Sequence, residues 1–456
     1  MKTLLFLSTI ILPLNFSQAA INMEAFTDIK QTFREKIMEQ SRYYSPLLRH
    51  VDKSFIQNND RAENLVDNPD KMIRSLEEME QKNLLDKKLS VAPWSDTYWP
   101  IAEGMIGARY NDPEMRFGAW SDYRSYVLSH PADGLIKEKR FDVLSPGEKY
   151  DYLMGILENG LTEYSWREGQ AYNDQYHEVE AWMGLCHGWA PAAFMMPNPV
   201  KKVSVKIDED DTLIFYPSDI KALGTMLWAN GQFETRFIGG RCNTKEPGED
   251  NLGRPKEPDC LDDNPGTWHM AIVNQIGQFN RSFVMDATYD YQVWNQPVYS
   301  YKYSYVNVKK KRRVASLKEA LISVEDWKAD PRRRVRSPGT KYIVGISMNV
   351  EYVRESVPSL NEFQPSLFAM ASYDYDLELD SAKRILGGEW YSRQHPDFLW
   401  VASPESRPRT YGEQLGNSMD IHHLSNDIKK AAAVNARNGL PFGPFVYELF
   451  KQSARP

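Results

Sequence analysis

Apolar and polar positions divide the chain into several regimes. Residues 23–89 are charged and helical in period, with Leu47, Ile56, Leu65, Ile73 and Leu84 among the apolar positions, which predicts a helical lead-in. Residues 91–126 are crowded with aromatics, among them Trp94, Tyr98, Trp99 and Trp120, and broken by Pro93, Pro100 and Pro113, the pattern of an irregular, well-packed loop. Ser145-Pro146-Gly147-Glu148 predicts a capping box opening a helix. The apolar, small-residue stretch 179–195 predicts a buried helix beginning close to Cys186. Strands are expected at 202–207, 268–275, 282–287, 342–353, 367–379 and 388–392. A last helix over 426–436 should stop at Asn438-Gly439. The expected class is α+β, with helices early and antiparallel strands late.

The N-terminus alters the picture. Met1-Lys2, an apolar run from Leu4 to Leu14 and the small-residue site at Ala19-Ala20 predict a secretory signal peptide over residues 1–20. No later stretch approaches about 18 uninterrupted apolar residues, so stable membrane insertion is not expected. The expected organisation is residues 1–20 as signal, 21–90 as a helical segment, 91–410 as the main domain and 411–456 as a C-terminal helical segment.

Composition narrows the class. With 456 residues, 55 Lys and Arg against 62 Asp and Glu, and 12 Trp and 25 Tyr, disorder and coiled coil are excluded, and a net charge of −7 argues against nucleic acid as a partner. The basic runs 309–313 and 332–336 read as solvated or wall-polymer-facing loops. Export makes the three cysteines informative. Cys242 and Cys260 flank a turn-rich loop and are expected to pair, which leaves Cys186 as an odd thiol and a candidate nucleophile. At a helix N-terminus its thiolate is favoured by the macrodipole and by unpaired backbone amides. Gly184 and Gly188 read as clearance for a substrate carbonyl. His187 diverges from Cys186 by about 100° on a helix and is set aside as its base.

A better base is sought downstream. If 268–275 and 282–287 are strands joined at Gly277-Gln278, His269 and Asp286 are cross-strand partners, and the acid can orient the imidazole. A later turn centre opposes Asp290 instead, which stays as the rival acid. Cys186, His269 and Asp286 then form a triad suited to thiol acyl transfer.

The order of these three elements, with Asp286-Ala287-Thr288 after His269, is similar to the transglutaminase-like branch of papain-type enzymes. Val293-Trp294-Asn295-Gln296-Pro297-Val298, with Tyr301 and Lys302, resembles the elicitor fragment of the oomycete transglutaminase elicitor family. Pro93-Trp94-Ser95, Tyr98-Trp99-Pro100, Cys186-His187-Gly188-Trp189, the stretch from Gly387 to Ser392 and His395-Pro396-Asp397-Phe398-Leu399-Trp400 resemble other blocks of that family. The resemblance implies a papain/transglutaminase-like core in which the nucleophile-bearing helix packs on an antiparallel sheet. It implies a protein-glutamine γ-glutamyltransferase joining glutamine- and lysine-bearing protein substrates through a Cys thioester, and dependence on Ca2+.

Oxygen-rich candidates for calcium are 208–211 and the alternating Asp374, Asp376, Glu378 and Asp380, each otherwise a solvated acidic surface. His395, His422 and His423 read as packing and surface residues. Residues 294–298 are read as a packed loop in preference to a substrate contact. Residues 21–90 are hypothesised to cover the cleft as an inhibitory pro-region. A monomer, extracellular or periplasmic, is expected. Two other readings stay open: a papain-like hydrolase or deamidase with the same triad, and a non-enzymatic secreted elicitor or adhesin.

Overall fold

The computed structural model describes residues 60–454 apart from 243, 245–247, 258, 259, 261, 262, 289, 290 and 393. The expected signal peptide, residues 21–59 and Asp290 lie outside the described residues. In chain order the strands are β1 (Asp86–Lys88), β2 (Val203–Lys206), β3 (Thr212–Phe215), β4 (Thr235–Gly239), β5 (Val284–Asp286) and β6 (Asn295–Asn307). There follow β7 (Arg312–Val314), β8 (Ile322–Ser323), β9 (Tyr342–Arg354), β10 (Leu367–Leu379), β11 (Ile385–Trp390) and β12 (Phe398–Ala402).

Ten of these strands form one antiparallel sheet with the order β11-β10-β9-β6-β5-β12-β4; β1 and β7 also pair with β6, and β8 with β9. The long partners β9 and β10 stay in register from Leu367↔Arg354 to Leu379↔Tyr342. Their aromatic and branched residues suit a pleated, half-buried surface, and Tyr373, Tyr375, Leu377 and Leu379 alternate into the core. The fold is therefore α+β, as its patterning indicates.

Helices cover both faces of the sheet, and alternation along the short strands assigns side chains to one face or the other. Met285, Leu399 and Val401 join a core built with Trp268, Tyr301, Tyr303 and Tyr375. Val284, Phe398 and Trp400 point the opposite way and pack with Ala190 of the Cys186–Met195 helix. That helix lies tightly on the Pro217–Asn230 helix, because Gly188 has no side chain: a Cβ there would come 2.3 Å from the Thr225 carbonyl oxygen. Gly184 is likewise closed by Tyr98, 2.5 Å from its carbonyl oxygen, so both glycines serve packing, in place of the substrate clearance expected of them.

Several sequence expectations take a different form. Residues 268–275 are helical: Asn264 caps the Pro265–Ile272 helix by accepting from the Gly266 N–H at 2.8 Å, and Pro265 occupies its first turn. The hairpin through Gly277-Gln278 is therefore absent, and Asp286 pairs with Asn295. The described part of the 21–90 segment is built into the sheet as β1 and into its core through Leu65, Ile73, Leu76 and Met79. Residues 60–90 pack on the face that holds Trp268. The capping box at Ser145 and Glu148 forms as read, with Glu148 also gripped by Arg109 at 2.6 Å. Toward the C-terminus, Asn426–Ala436 ends as expected, and a further Gly443–Ser453 helix packs Phe450 against Gly224.

Candidate functional site around Cys186

Cys242 and Cys260 form a disulfide, and Cys186 is the free thiol. It begins its helix, is 6% exposed, and follows the N-cap residue Leu185, whose side chain makes no capping bond. The first-turn amides of a helix have no intrahelical acceptor, so an uncapped start leaves donors for an incoming oxygen. The approach is held from the neighbouring loop, where the Leu185 N–H donates to the Tyr98 carbonyl at 2.6 Å.

The sulfur is framed by the start of β6. Its S–H lies 3.7 Å from the Val293 carbonyl, and the Asn295 side-chain amide donates to Sγ at 3.4 Å. Asn295 is oriented in turn by the Trp400 indole, which donates to its Oδ1 at 2.8 Å. That bond fixes which end of the amide faces the thiol. Burial pushes the Cys186 thiol up to about 11, against the lowering effect of the Asn295 bond; Glu355 and Asp286 add to the rise. The resting Cys186 side chain is a neutral thiol.

Asp286 stands directly across the ladder from Asn295. Its Oδ1 accepts the Trp294 N–H at 2.9 Å and the Thr288 N–H at 3.3 Å, while Oδ2 is buried with no hydrogen-bond partner among the described residues. Burial pushes this carboxyl up to about 7, partly offset by those two amides. A carboxyl that exchanges its proton near neutrality beside a thiol can take that proton and return it.

His269 is elsewhere. It sits on the Pro265–Ile272 helix, its Nδ1 2.8 Å from the Tyr375 hydroxyl and its ring edge-on to Tyr303, both in the core on the Met285 side of the sheet. Burial pushes it down to about 3, so it is a neutral core imidazole. Of the three residues expected to form a triad, Cys186 and Asp286 are linked through Asn295, with no hydrogen bond between thiol and carboxyl, and His269 is left behind the sheet.

Residues 293–296 are not passive packing. They supply the Val293 carbonyl, the Trp294 amide, the Asn295 side chain and Gln296, whose Nε2 donates to Glu355 at 2.6 Å. In the sequence Tyr98, Thr288, Asn295 and Trp400 stand only as parts of family-like blocks with no contact assigned to them, and Glu355 carries no signal. The available signal was the polar pair Asn295-Gln296 at the start of an apolar, aromatic strand, which is costly to bury unless it is used.

The calcium candidates do not fit a cation. Asp208 turns its Oδ1 to the Asp210 and Asp211 amides at 2.9 and 2.8 Å, and Asp211 pairs with Lys139. Asp376 and Glu378 are buried, contrary to an exposed face, and are held by Arg336 at 2.6 and 3.1 Å, with Asp330 at 3.0 Å on the same guanidinium. Arg336 therefore lies in the interior and is not one of a run of solvated loop charges. Among the described residues no three His, Cys, Asp or Glu side chains are grouped to hold a metal. His395 stacks on Trp390, and His423 pairs with Asp420 at 2.9 Å.

A helix-borne thiol on an antiparallel sheet, with the 293–298 segment wrapped around it, defines a class. The transglutaminase elicitor family matches residues 70–424, and the chain belongs to that family. Among solved structures it is similar to the GP42 transglutaminase from Phytophthora sojae, with a TM-score of 0.55 and 19% identity over 84% of this chain and 94% of that one. At that identity the likeness shows the fold. No curated protein sequence matches the chain.

Proposed function

We propose that the protein is a secreted protein-glutamine γ-glutamyltransferase in which Cys186 is the nucleophile and Asp286 its proton acceptor. The observation that carries this reading is the shared geometry of Asn295, which donates to the Cys186 sulfur and faces Asp286 across the ladder. Family membership supports acyl transfer as the reaction, and the disulfide supports an oxidising compartment outside the cytoplasm. Among the described residues no helix is long and apolar enough to cross a membrane.

The chemistry follows from the groups present. As Sγ attacks the γ-carboxamide carbon, the thiol proton passes to the ionised Asp286, and the first-turn amides of the helix receive the developing oxyanion. Asp286 returns the proton to the departing nitrogen, ammonia leaves and a thioester remains. A lysine ε-amine then attacks the thioester carbon, gives up a proton to Asp286, and Sγ departs as the thiol, leaving an isopeptide bond. Water in place of the amine yields glutamate, the deamidase outcome.

The test is incorporation of labelled cadaverine into a glutamine-bearing protein, with ammonia release measured in parallel, by wild type and Cys186→Ala, with Ca2+ and with chelator. Coupled amine incorporation and ammonia release, lost in Cys186→Ala, supports transfer. Ammonia without incorporation supports the deamidase, and full activity in Cys186→Ala contradicts the site.

A further inference from the structure

We propose that Glu355 is the acceptor-specificity residue, its carboxylate receiving the cationic end of an incoming primary amine beside the Cys186 acyl-enzyme. The inference rests on the acyl-transfer reading above and goes beyond it by assigning the amine subsite. The register between β6 and β9 pairs Val298 with Tyr352. Beyond that last pair the two chains stay close, because Gln296, next to Asn295, donates its side-chain amide to Glu355 at 2.6 Å. Asp286 pairs with Asn295 on the other side. The thiol-binding asparagine is thus flanked by two acids, one buried and one half-exposed.

The two acids differ in how they are held. Asp286 has its Oδ1 fixed by backbone amides, whereas Glu355 is held through one oxygen by Gln296 at 2.6 Å, and no ion pair with a described residue offsets its charge. Glu355 opposes thiolate formation at Cys186, ahead of Asp286 in that effect. A negative group there handicaps the first half-reaction. Once sulfur is acylated it carries no charge, the repulsion is gone, and the same carboxylate becomes an attractor for an ammonium, which releases one proton to solvent before its nitrogen attacks and a second, through Asp286 to Sγ, as the amide forms. Its neighbours suit the role: Tyr98 and Trp294 are half-buried with their rings edge-on at 5.4 Å, and Glu355 adds to the burial that pushes the Tyr98 hydroxyl up to about 12. Aromatic faces near a carboxylate accommodate an alkyl chain ending in a cation.

Steady-state transfer with a fixed glutaminyl donor tests this at about pH 8, where cadaverine is cationic and hydroxylamine is a neutral nucleophile. Glu355→Gln should raise KM for cadaverine about tenfold, change KM for hydroxylamine less than about twofold, and speed iodoacetamide alkylation of Cys186. Glu355→Asp should recover part of the cadaverine KM. Equal shifts for both nucleophiles, or no shift for either, overturn the inference while leaving acyl transfer intact. No product from wild type with either nucleophile overturns the acyl-transfer reading and this inference with it.

Discussion

Asn295 faces Asp286 directly across the β5–β6 ladder and donates its side-chain amide to the Cys186 sulfur at 3.4 Å. With the Trp400 indole fixing the amide's orientation at 2.8 Å, Asn295 is aimed at charge that develops on sulfur. Asn295→Ala should lower kcat by about 10²- to 10³-fold, the cost of losing one preorganised donor. Trp400→Phe should give a smaller loss, because it frees the amide without removing it. Steady-state transfer assays with a thermal melt on each variant check both.

Asp286 supplies a pH signature. Its carboxyl is protonated below about 7 and cannot accept the thiol proton there, so the acylation rate should rise with pH through that value. Asp286→Asn should abolish the inflection and lower kcat by about 10²- to 10⁴-fold. An inflection that persists in Asp286→Asn contradicts this assignment.

The same carboxyl marks stability. The folded protein keeps its proton up to about pH 7, whereas an unfolded Asp releases it near 3.9, so the native state binds more protons between the two values. Its contribution is fully present below the unfolded value and is lost as pH rises through the folded one. The melting temperature of wild type relative to Asp286→Asn should therefore fall between about pH 4 and 7. A flat difference between the two across that range counts against a raised carboxyl.

Arg336 holds Asp330, Asp376 and Glu378 in the interior, and its removal strands buried carboxylates. Arg336→Met should destabilise by about 3–5 kcal/mol, as when one partner of a buried pair is removed. Urea denaturation measures it; a change near zero contradicts a charge-compensating role.

How far the fold was legible in sequence follows from particular residues. The capping box at Ser145 and Glu148, the β9 and β10 runs and the Asn438-Gly439 stop carry local signals that tertiary contacts did not override. The odd Cys186 was legible because its two companions were spaced for a bridge. His269 misled because Trp268 to Val273 is a short apolar run, equally suited to a strand or a buried helix. The arbiter was just upstream, in Asn264-Pro265 as an N-cap followed by a first-turn proline. Once that hairpin fails, Asp286 must find another partner, and the strand opposite begins at Asn295, where no tight-turn dipeptide marks the loop. The role of Glu355 depends on the β6–β9 register, a long-range pairing with no local signature.

The most direct test of the central claim is labelled-amine incorporation by Asp286→Asn and His269→Asn, each assayed below its own melting temperature. Asp286→Asn is expected to lose nearly all transfer, while His269→Asn, which alters a neutral imidazole behind the sheet, keeps the wild-type rate within a few-fold. Transfer abolished by His269→Asn and retained by Asp286→Asn contradicts the account.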